Sequence, residues 1–159
     1  MKQKSLSKWL KIIVIGLAVC GLAVYGIVLP SYGASLKAQY PEFSNRFWPW
    51  LIFLWMTGIP CYAVLVLGWR IADRVGRDRS FTEENARSLK WVAWLAAGDA
   101  AFVFAGNLLL LLLNMSHPSV LLLSLLVVFL GVAVAVAAAV LSHLVRKAAA
   151  LQEQSDLTI

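Results

Sequence analysis

Four long apolar runs limit what this chain can fold into more than any other feature. Each is continuous and close to the ~20 residues that a helix needs to cross ~30 Å of hydrocarbon, and none shows the alternation of a barrel strand. Hydrophobic residues make up 61% of the sequence, above the ~45–50% of soluble domains. The sequence therefore predicts an all-α membrane protein, a single domain with four transmembrane helices in an antiparallel bundle. The predicted spans are residues 9–29, 48–70, 90–113 and 118–145.

The distribution of basic residues predicts how these helices are oriented. Most of the 14 Lys and Arg residues lie at the N-terminus, after the second span or after the fourth. They are Lys2, Lys4, Lys8, Lys11, Arg70, Arg74, Arg77, Arg79, Arg87, Lys90, Arg146 and Lys147. Because loops rich in Lys and Arg stay on the cytoplasmic side, both termini are predicted to be cytoplasmic, in the inner membrane of a bacterium. This topology explains the net charge of +6, so we expect contact with the lipid bilayer and no direct binding of nucleic acid.

Two helices are predicted to extend beyond the bilayer on the cytoplasmic side. The third helix is predicted to begin at Glu83 with Thr82 as its N-cap, because a side-chain oxygen there satisfies a free N–H and acidic residues favour the first turn. Ser80, three residues before Glu83, also fits a capping box, so the cap could lie two residues earlier. The fourth helix continues beyond its apolar run without a breaker, so residues 146–159 are predicted to be a cytoplasmic helical extension and tail. At the opposite side, the first helix is predicted to end at Pro30 and to be followed by an outer loop, residues 30–47, rich in turn residues.

An aspartate inside the third span is the main chemical anomaly of the sequence. An ionised Asp in the middle of a membrane helix costs ~2.5–3.5 kcal/mol on insertion scales, so Asp99 is expected to face the bundle interior. Counting from the helix ends places Cys20 and Cys61 near the same depth, and Asn107 lies two turns from Asp99 on nearly the same face. These four residues form a candidate intramembrane polar site. It could hold helices together by hydrogen bonds, carry protons or cations, or act as a redox or metal site.

The sequence contains none of the common enzyme motifs. It has no HExxH, no GxSxG and no phosphate-binding glycine loop followed by lysine. Its 2 cysteines lack CxxC spacing and are too few to hold a soft metal. We therefore predict a non-enzymatic protein without catalytic residues, bound metal or cofactor. The run "GVAVAVAAAV" in the fourth span would allow close helix approach, either within the bundle or between two copies in a homodimer.

Two segments carry a resemblance to a known family. The first is "GIPCYAVLVLGWRIADRVGRDRSFTEENARSLKWVAW", with a helix start at Phe81, Thr82 and Leu89. The second begins at "HPSVLLLSLLVVFLG" and ends in the polar tail "LQEQSDLTI". Together they cover about the last two-thirds of the chain, and they resemble the YoaS-like family of small bacterial four-helix membrane proteins, a domain of unknown function numbered 2975.

The resemblance implies a four-helix membrane fold and supplies no catalytic residues. Genes of this family often stand beside one for a small helix-turn-helix regulator of the Cro/CI type, so the resemblance also implies a membrane partner that holds or tunes such a regulator. We therefore expect a cytoplasmic partner to bind the loop after the second span and the C-terminal tail. The candidate docking residues are Phe81, Thr82, Glu83, Arg87, Leu151, Asp156 and Ile159. The alternative is a small transporter or ion pathway that uses Asp99.

Overall fold

The computed structural model describes residues 2–158, and within them every regular element is helical. Long apolar stretches account for the length of the helices, and α3 continues through an internal proline, Pro60. The elements are α1 (Gln3–Ala23), a π-helical turn (Val24–Val28), α2 (Leu29–Gln39), a 3-10 turn (Pro41–Arg46), α3 (Phe47–Gly76), α4 (Glu83–Leu112) and α5 (Pro118–Leu157).

Four helical stretches are long and apolar enough to cross a membrane, which confirms the predicted fold class. They are Gln3–Gln39, Pro41–Gly76, Glu83–Leu112 and Pro118–Leu157. Most of their large apolar side chains lie on the outside of the protein, and the buried positions are mainly small or polar. This distribution is typical of helices in lipid, because hydrocarbon chains solvate leucine and phenylalanine as well as a protein core does. The limits of the bilayer on these helices stay a prediction.

The helices pack in the order α1, α3, α4 and α5. α1 packs on α3, α3 on α4, and α5 most extensively on α4, whereas no close backbone approach joins α1 to α5 within residues 2–158. Neighbouring helices are antiparallel: the start of α1 meets the end of α3 through a hydrogen bond from Ser7 Oγ to Ala72 O of 2.6 Å. The start of α4 likewise meets the later part of α5 through Ser142 Oγ and Ala86 O at 2.5 Å. α1 and α5 therefore form the two edges of the arrangement.

The first and last described residues lie at the same end of the protein as the loop between α3 and α4. We call this the basic end and define it as residues 2–11, 70–90 and 142–158. A Cβ placed at Gly76 would lie only 2.7 Å from Ser7 Oγ, so the absence of a side chain at Gly76 allows α1 and α3 to approach closely there. Lys11 Nζ then bonds Asp73 Oδ1 at 2.9 Å.

The segment after Pro30 is helical, so the prediction that the first helix ends at Pro30 and continues as an irregular loop is wrong. Proline cannot donate a helical hydrogen bond, and the preceding wide π turn changes the local bonding pattern so that the chain continues as helix. The indole N–H of Trp55 supplies a donor to the carbonyl of Tyr25 in this turn, at 3.0 Å.

Tertiary packing then holds α2 in place against the start of α3. A Cβ placed at Gly33 would lie 2.6 Å from Cε2 of Phe47 and 2.9 Å from Cζ3 of Trp50, so the bare glycine lets two aromatic rings cover the helix. Lys37 Nζ lies 5.9 Å from the centre of the Phe47 ring. These contacts depend on residues distant from Pro30, which is why local turn signals did not indicate a helix there.

Candidate functional site

The loop between α3 and α4 is organised by one buried asparagine. Asn85 is 1% exposed, and its Nδ2 donates to the carbonyls of Arg79, at 3.1 Å, and Ser80, at 2.9 Å. Its Oδ1 accepts from Nη1 of Arg74 at 3.2 Å. A buried amide that uses both its donor and its acceptor groups fixes the path of the loop, because each lost bond would leave a polar group unsatisfied.

Arg74 extends this network from α3 to α4. Its Nη1 donates to Ser88 Oγ at 3.0 Å, and its Nε lies 3.3 Å from Glu84 Oε2. Together with the Asn85 bond, these contacts use several of the five donors that a guanidinium offers. Arg74 therefore ties the end of one helix to the first turn and a half of the next.

The predicted helix start is confirmed at Thr82. Its Oγ1 accepts from the backbone N–H of Asn85 at 3.3 Å, and Glu83 and Glu84 occupy the first turn of α4. Glu83 also pairs with Arg146 of α5, with Oε1 and Nε 3.2 Å apart. The residues predicted for partner docking at the α4 start are thus partly engaged within the protein: Thr82 caps the helix, and Glu83 joins α4 to α5.

The other candidate docking residues remain on the surface. Phe81 is 55% exposed and Leu151 is 60% exposed, while Arg87 and Asp156 are also exposed. The Glu83–Arg146 pair places Phe81 near the level at which α5 runs past the start of α4. Ile159, the last candidate, lies outside the described residues.

An arginine-rich cleft of about 390 Å³ opens beside this loop. Its charged lining consists of Arg70, Asp73, Arg74, Arg77, Arg79 and Glu84. The four arginines outnumber the two carboxylates, so the net charge of the cleft is positive. Lys11 and Arg77 both lie 2.9 Å from carboxylate oxygens of Asp73. The hydrogen bond from Lys11, together with the charge of Arg77, lowers the pKa of Asp73 below its usual range, so Asp73 is ionised at neutral pH.

A second group of polar side chains lies between α3, α4 and the π-helical turn after α1. The thiol of Cys61 donates to Oδ2 of Asp99 at 3.6 Å. The hydroxyl of Thr57 donates to the carbonyl of Leu54 at 2.6 Å, so the neighbouring hydroxyl of Tyr25, 3.0 Å away, donates to Thr57. Thr57 and Cys61 are four residues apart on α3, so these two pairs lie on the same face of that helix. We call Tyr25, Thr57, Cys61 and Asp99 the polar cluster.

Only two of the four residues predicted for the intramembrane polar site meet in this cluster. Cys20 is a free, exposed cysteine on α1, and the residue in the cluster instead is Tyr25, from the π-helical turn that follows α1. Asn107 is buried, but its Nδ2 donates to the carbonyl of Val103 on its own helix at 2.9 Å. Among the described residues, no three His, Cys, Asp or Glu side chains are placed to hold a metal ion.

Sequence reasoning missed four residues that organise these two regions: Tyr25, Thr57, Arg74 and Asn85. A threonine inside an apolar span is a weak signal because its hydroxyl often bonds its own helix, and a tyrosine is a weak signal because most of its side chain is an apolar ring. Asn85 is the third residue of α4, and its position in the sequence is typical of a surface residue. It is buried because the α3–α4 loop folds over it, and the local sequence does not indicate this contact.

Comparison with known proteins places the chain in one family. A family model described as "Protein of unknown function (DUF2975)" matches residues 31–159. The uncharacterized membrane protein YoaS of Bacillus subtilis (strain 168) is 24% identical over 151 residues, which cover 93% of this chain and 92% of YoaS. No solved structure matches the chain. The protein therefore belongs to the DUF2975 family, whose function is unknown.

Proposed function

We propose that this protein is a non-enzymatic membrane protein whose basic end faces the cytoplasm and binds a partner protein there. The observation that carries this proposal is the exposed end of α5. The 40 residues of α5 are about 60 Å long at ~1.5 Å per residue, which is twice the ~30 Å thickness of the hydrocarbon. Every side chain from residue 150 to residue 158 is exposed. A helix end of this length, uncovered by the rest of the described chain, is available to another protein.

The basic end combines apolar and positively charged groups. Phe81 and Leu151 expose more than half of their surface, and the arginine-rich cleft lies between the end of α3 and the start of α4, the two helices that the Phe81 loop connects. Aromatic and arginine side chains dominate the binding energy of many protein interfaces. A partner with an apolar ridge flanked by acidic residues would complement this surface.

The partner that we propose is a small helix-turn-helix transcriptional regulator, as the family resemblance implies. Membrane attachment of such a regulator would limit its access to DNA without any chemistry in the membrane protein. The proposed role is therefore to hold or tune the regulator, and this role requires no active site.

The experiment is capture of the regulator by the whole chain. A helix-turn-helix protein encoded next to this gene is purified and mixed with the detergent-solubilised membrane protein, and the bound fraction is measured. We expect capture by the unchanged chain, and a loss of about tenfold or more with Phe81→Asp, as for an aromatic interface residue. Removal of residues 155–159 is expected to weaken capture as well.

Phe43→Asp is the matched control, because Phe43 is an aromatic residue 40% exposed in the 3-10 turn Pro41–Arg46, at the opposite end of the protein. It introduces the same charge and should leave capture unchanged. The proposal fails if Phe81→Asp and the deletion both bind the regulator as well as the unchanged chain does. The absence of a neighbouring helix-turn-helix gene would count against this class of partner.

An ion pathway through Asp99 is the second function that a specific observation favours. Oδ1 of Asp99 is buried and has no hydrogen-bond partner among residues 2–158, although its other oxygen accepts from Cys61. An unsatisfied buried oxygen costs free energy, and a proton or a cation bound there would remove that cost. Carboxylates inside membrane helices are often part of ion or proton pathways.

Flux measurements in proteoliposomes test this second function. An imposed gradient of protons, sodium or potassium should drive flux through the unchanged protein, and Asp99→Asn should remove it, because the amide cannot take up the charge. Asp73→Asn makes the same chemical change at the exposed end of α3 and should retain the flux. No flux with any of these cations, or equal flux in the Asp99 variant, excludes the pathway.

A further inference from the structure

A long groove runs along the outer face of the α4–α5 pair. Its volume is about 680 Å³. Its floor is formed mostly by alanines of both helices, including Ala97, Ala100 and Ala139. The two helices come close beneath it: a Cβ placed at Gly131 of α5 would lie 3.1 Å from Cβ of Ala100 in α4. Small side chains at a tight helix contact leave a shallow channel instead of a ridge.

Larger side chains form the walls of this groove. Trp94 and Phe104 of α4 are 66% and 42% exposed, and Val132 and Val136 line the α5 side. The walls are apolar along the whole length between these residues. A ligand in the groove would therefore contact hydrocarbon surfaces on three sides, with its fourth side open to the membrane.

Basic residues form one end of the groove, at the basic end of the protein. They are Lys90 of α4 with His143 and Arg146 of α5. Within residues 2–158 no carboxylate lies within 4 Å of the Lys90 ammonium, and the side chain of Arg146 is still 50% exposed despite its pair with Glu83. This rim therefore offers positive charge to a ligand.

The length of the groove fits one leaflet of a bilayer. Phe104 lies 14 residues beyond Lys90 in α4, which corresponds to about 21 Å at ~1.5 Å per residue. One leaflet contributes about half of the ~30 Å hydrocarbon thickness. Trp94, one turn inside the rim, is a residue type that prefers the boundary between headgroups and hydrocarbon. The groove thus begins at headgroup level and runs to about the depth that an acyl chain reaches.

From this geometry we infer that the α4–α5 groove binds one anionic phospholipid, with an acyl chain over the alanine floor and the phosphate at Lys90, His143 and Arg146. Basic residues at a membrane surface attract anionic lipids, so the rim favours a net negative headgroup over a zwitterionic one. A second copy of this chain packed in parallel on the groove would bring two positive rims together, and like charges oppose such an interface.

Native mass spectrometry of the whole chain in detergent tests this inference. The protein is titrated with dioleoyl phosphatidylglycerol and, separately, with dioleoyl phosphatidylcholine. We expect one tightly bound phosphatidylglycerol and binding of phosphatidylcholine that is weaker by about tenfold or more. Lys90→Gln with Arg146→Gln should remove this preference. Equal affinity for the two lipids overturns the inference.

The matched control for charge is Arg87→Gln with Lys147→Gln. Both residues are exposed at the basic end, and neither lines the groove, so this variant loses the same charge but should keep the preference for phosphatidylglycerol. If the control loses the preference to the same extent as the rim variant, general surface charge explains the binding and the site is wrong.

A second pair of variants tests the apolar part of the groove without changing charge. Ala139→Phe places a ring on the floor, whereas Ala137→Phe places one on an exposed position of α5 outside the groove. We expect the first to reduce phosphatidylglycerol binding and the second to leave it unchanged. Unchanged binding in Ala139→Phe contradicts the inference. The inference is also overturned if the unchanged protein is a dimer and Ala139→Phe converts it to a monomer. That result would show that a second copy of the chain occupies the groove.

Discussion

Replacing Asn85 by alanine is expected to lower the free energy of unfolding by about 2–4 kcal/mol, because buried donors and acceptors lose their partners together. The carbonyls of Arg79 and Ser80 lose the Asn85 amide, and Arg74 loses an acceptor. The N-cap of Thr82 acts on the same turn, so the α3–α4 loop should loosen as a unit. Titration with SDS in detergent micelles, followed by circular dichroism, measures this change.

Asn45→Ala is the control for this prediction. Asn45 is exposed in the 3-10 turn before α3, and a surface substitution of this kind changes stability by about 0.5 kcal/mol or less. A loss smaller than 1 kcal/mol in Asn85→Ala would mean that water replaces the amide in the loop. The hydrogen bonds of Asn85 would then not be the interactions that hold α3 and α4 together.

Gly106→Ala is expected to destabilise the protein although alanine is the better helix former. A Cβ at Gly106 would overlap the ring of Phe53 on α3, and that ring is held by Phe102, with centroids 5.1 Å apart. Overpacking at such a contact costs about 1–3 kcal/mol. This packing cost exceeds the gain of up to about 1 kcal/mol from the higher helix propensity of alanine, so the net effect is a loss of stability. Unfolding in SDS again supplies the measurement.

Gly98 on the same helix provides the matched comparison. Nothing lies within 4 Å of a Cβ placed there, so Gly98→Ala should be neutral or stabilising by up to about 1 kcal/mol. Phe53→Leu combined with Gly106→Ala should be more stable than the sum of the single changes indicates, because leucine lacks the ring atoms that clash. Equal effects of Gly98→Ala and Gly106→Ala, or strict additivity in the double variant, would remove the packing explanation.

The sequence predicted some residues of the candidate site and missed others, and each outcome has a physical reason. The cap at Thr82 is a local interaction within four residues, and the sequence pattern indicated it correctly. The meeting of Cys61 with Asp99 followed from counting depth along straight helices, which works because the rise per residue is constant. The same count did not find Tyr25, because depth does not indicate which face of the first helical stretch points towards α3.

The sequence by itself determined that the protein crosses a membrane with four helices, because apolar length is a local property that hydrocarbon thickness selects. The distribution of Lys and Arg likewise predicts orientation without reference to packing. Tertiary structure decided the rest. The helix continues through Pro30 because a π turn precedes it and because rings of Phe47 and Trp50 cover Gly33 and hold α2 in place. The α3–α4 loop is fixed by Asn85. The α4–α5 groove exists because alanines on two helices meet across a glycine contact. Each of these features depends on which helix faces pack together. The sequence of an apolar helix does not indicate which face that is, because its faces are similarly apolar.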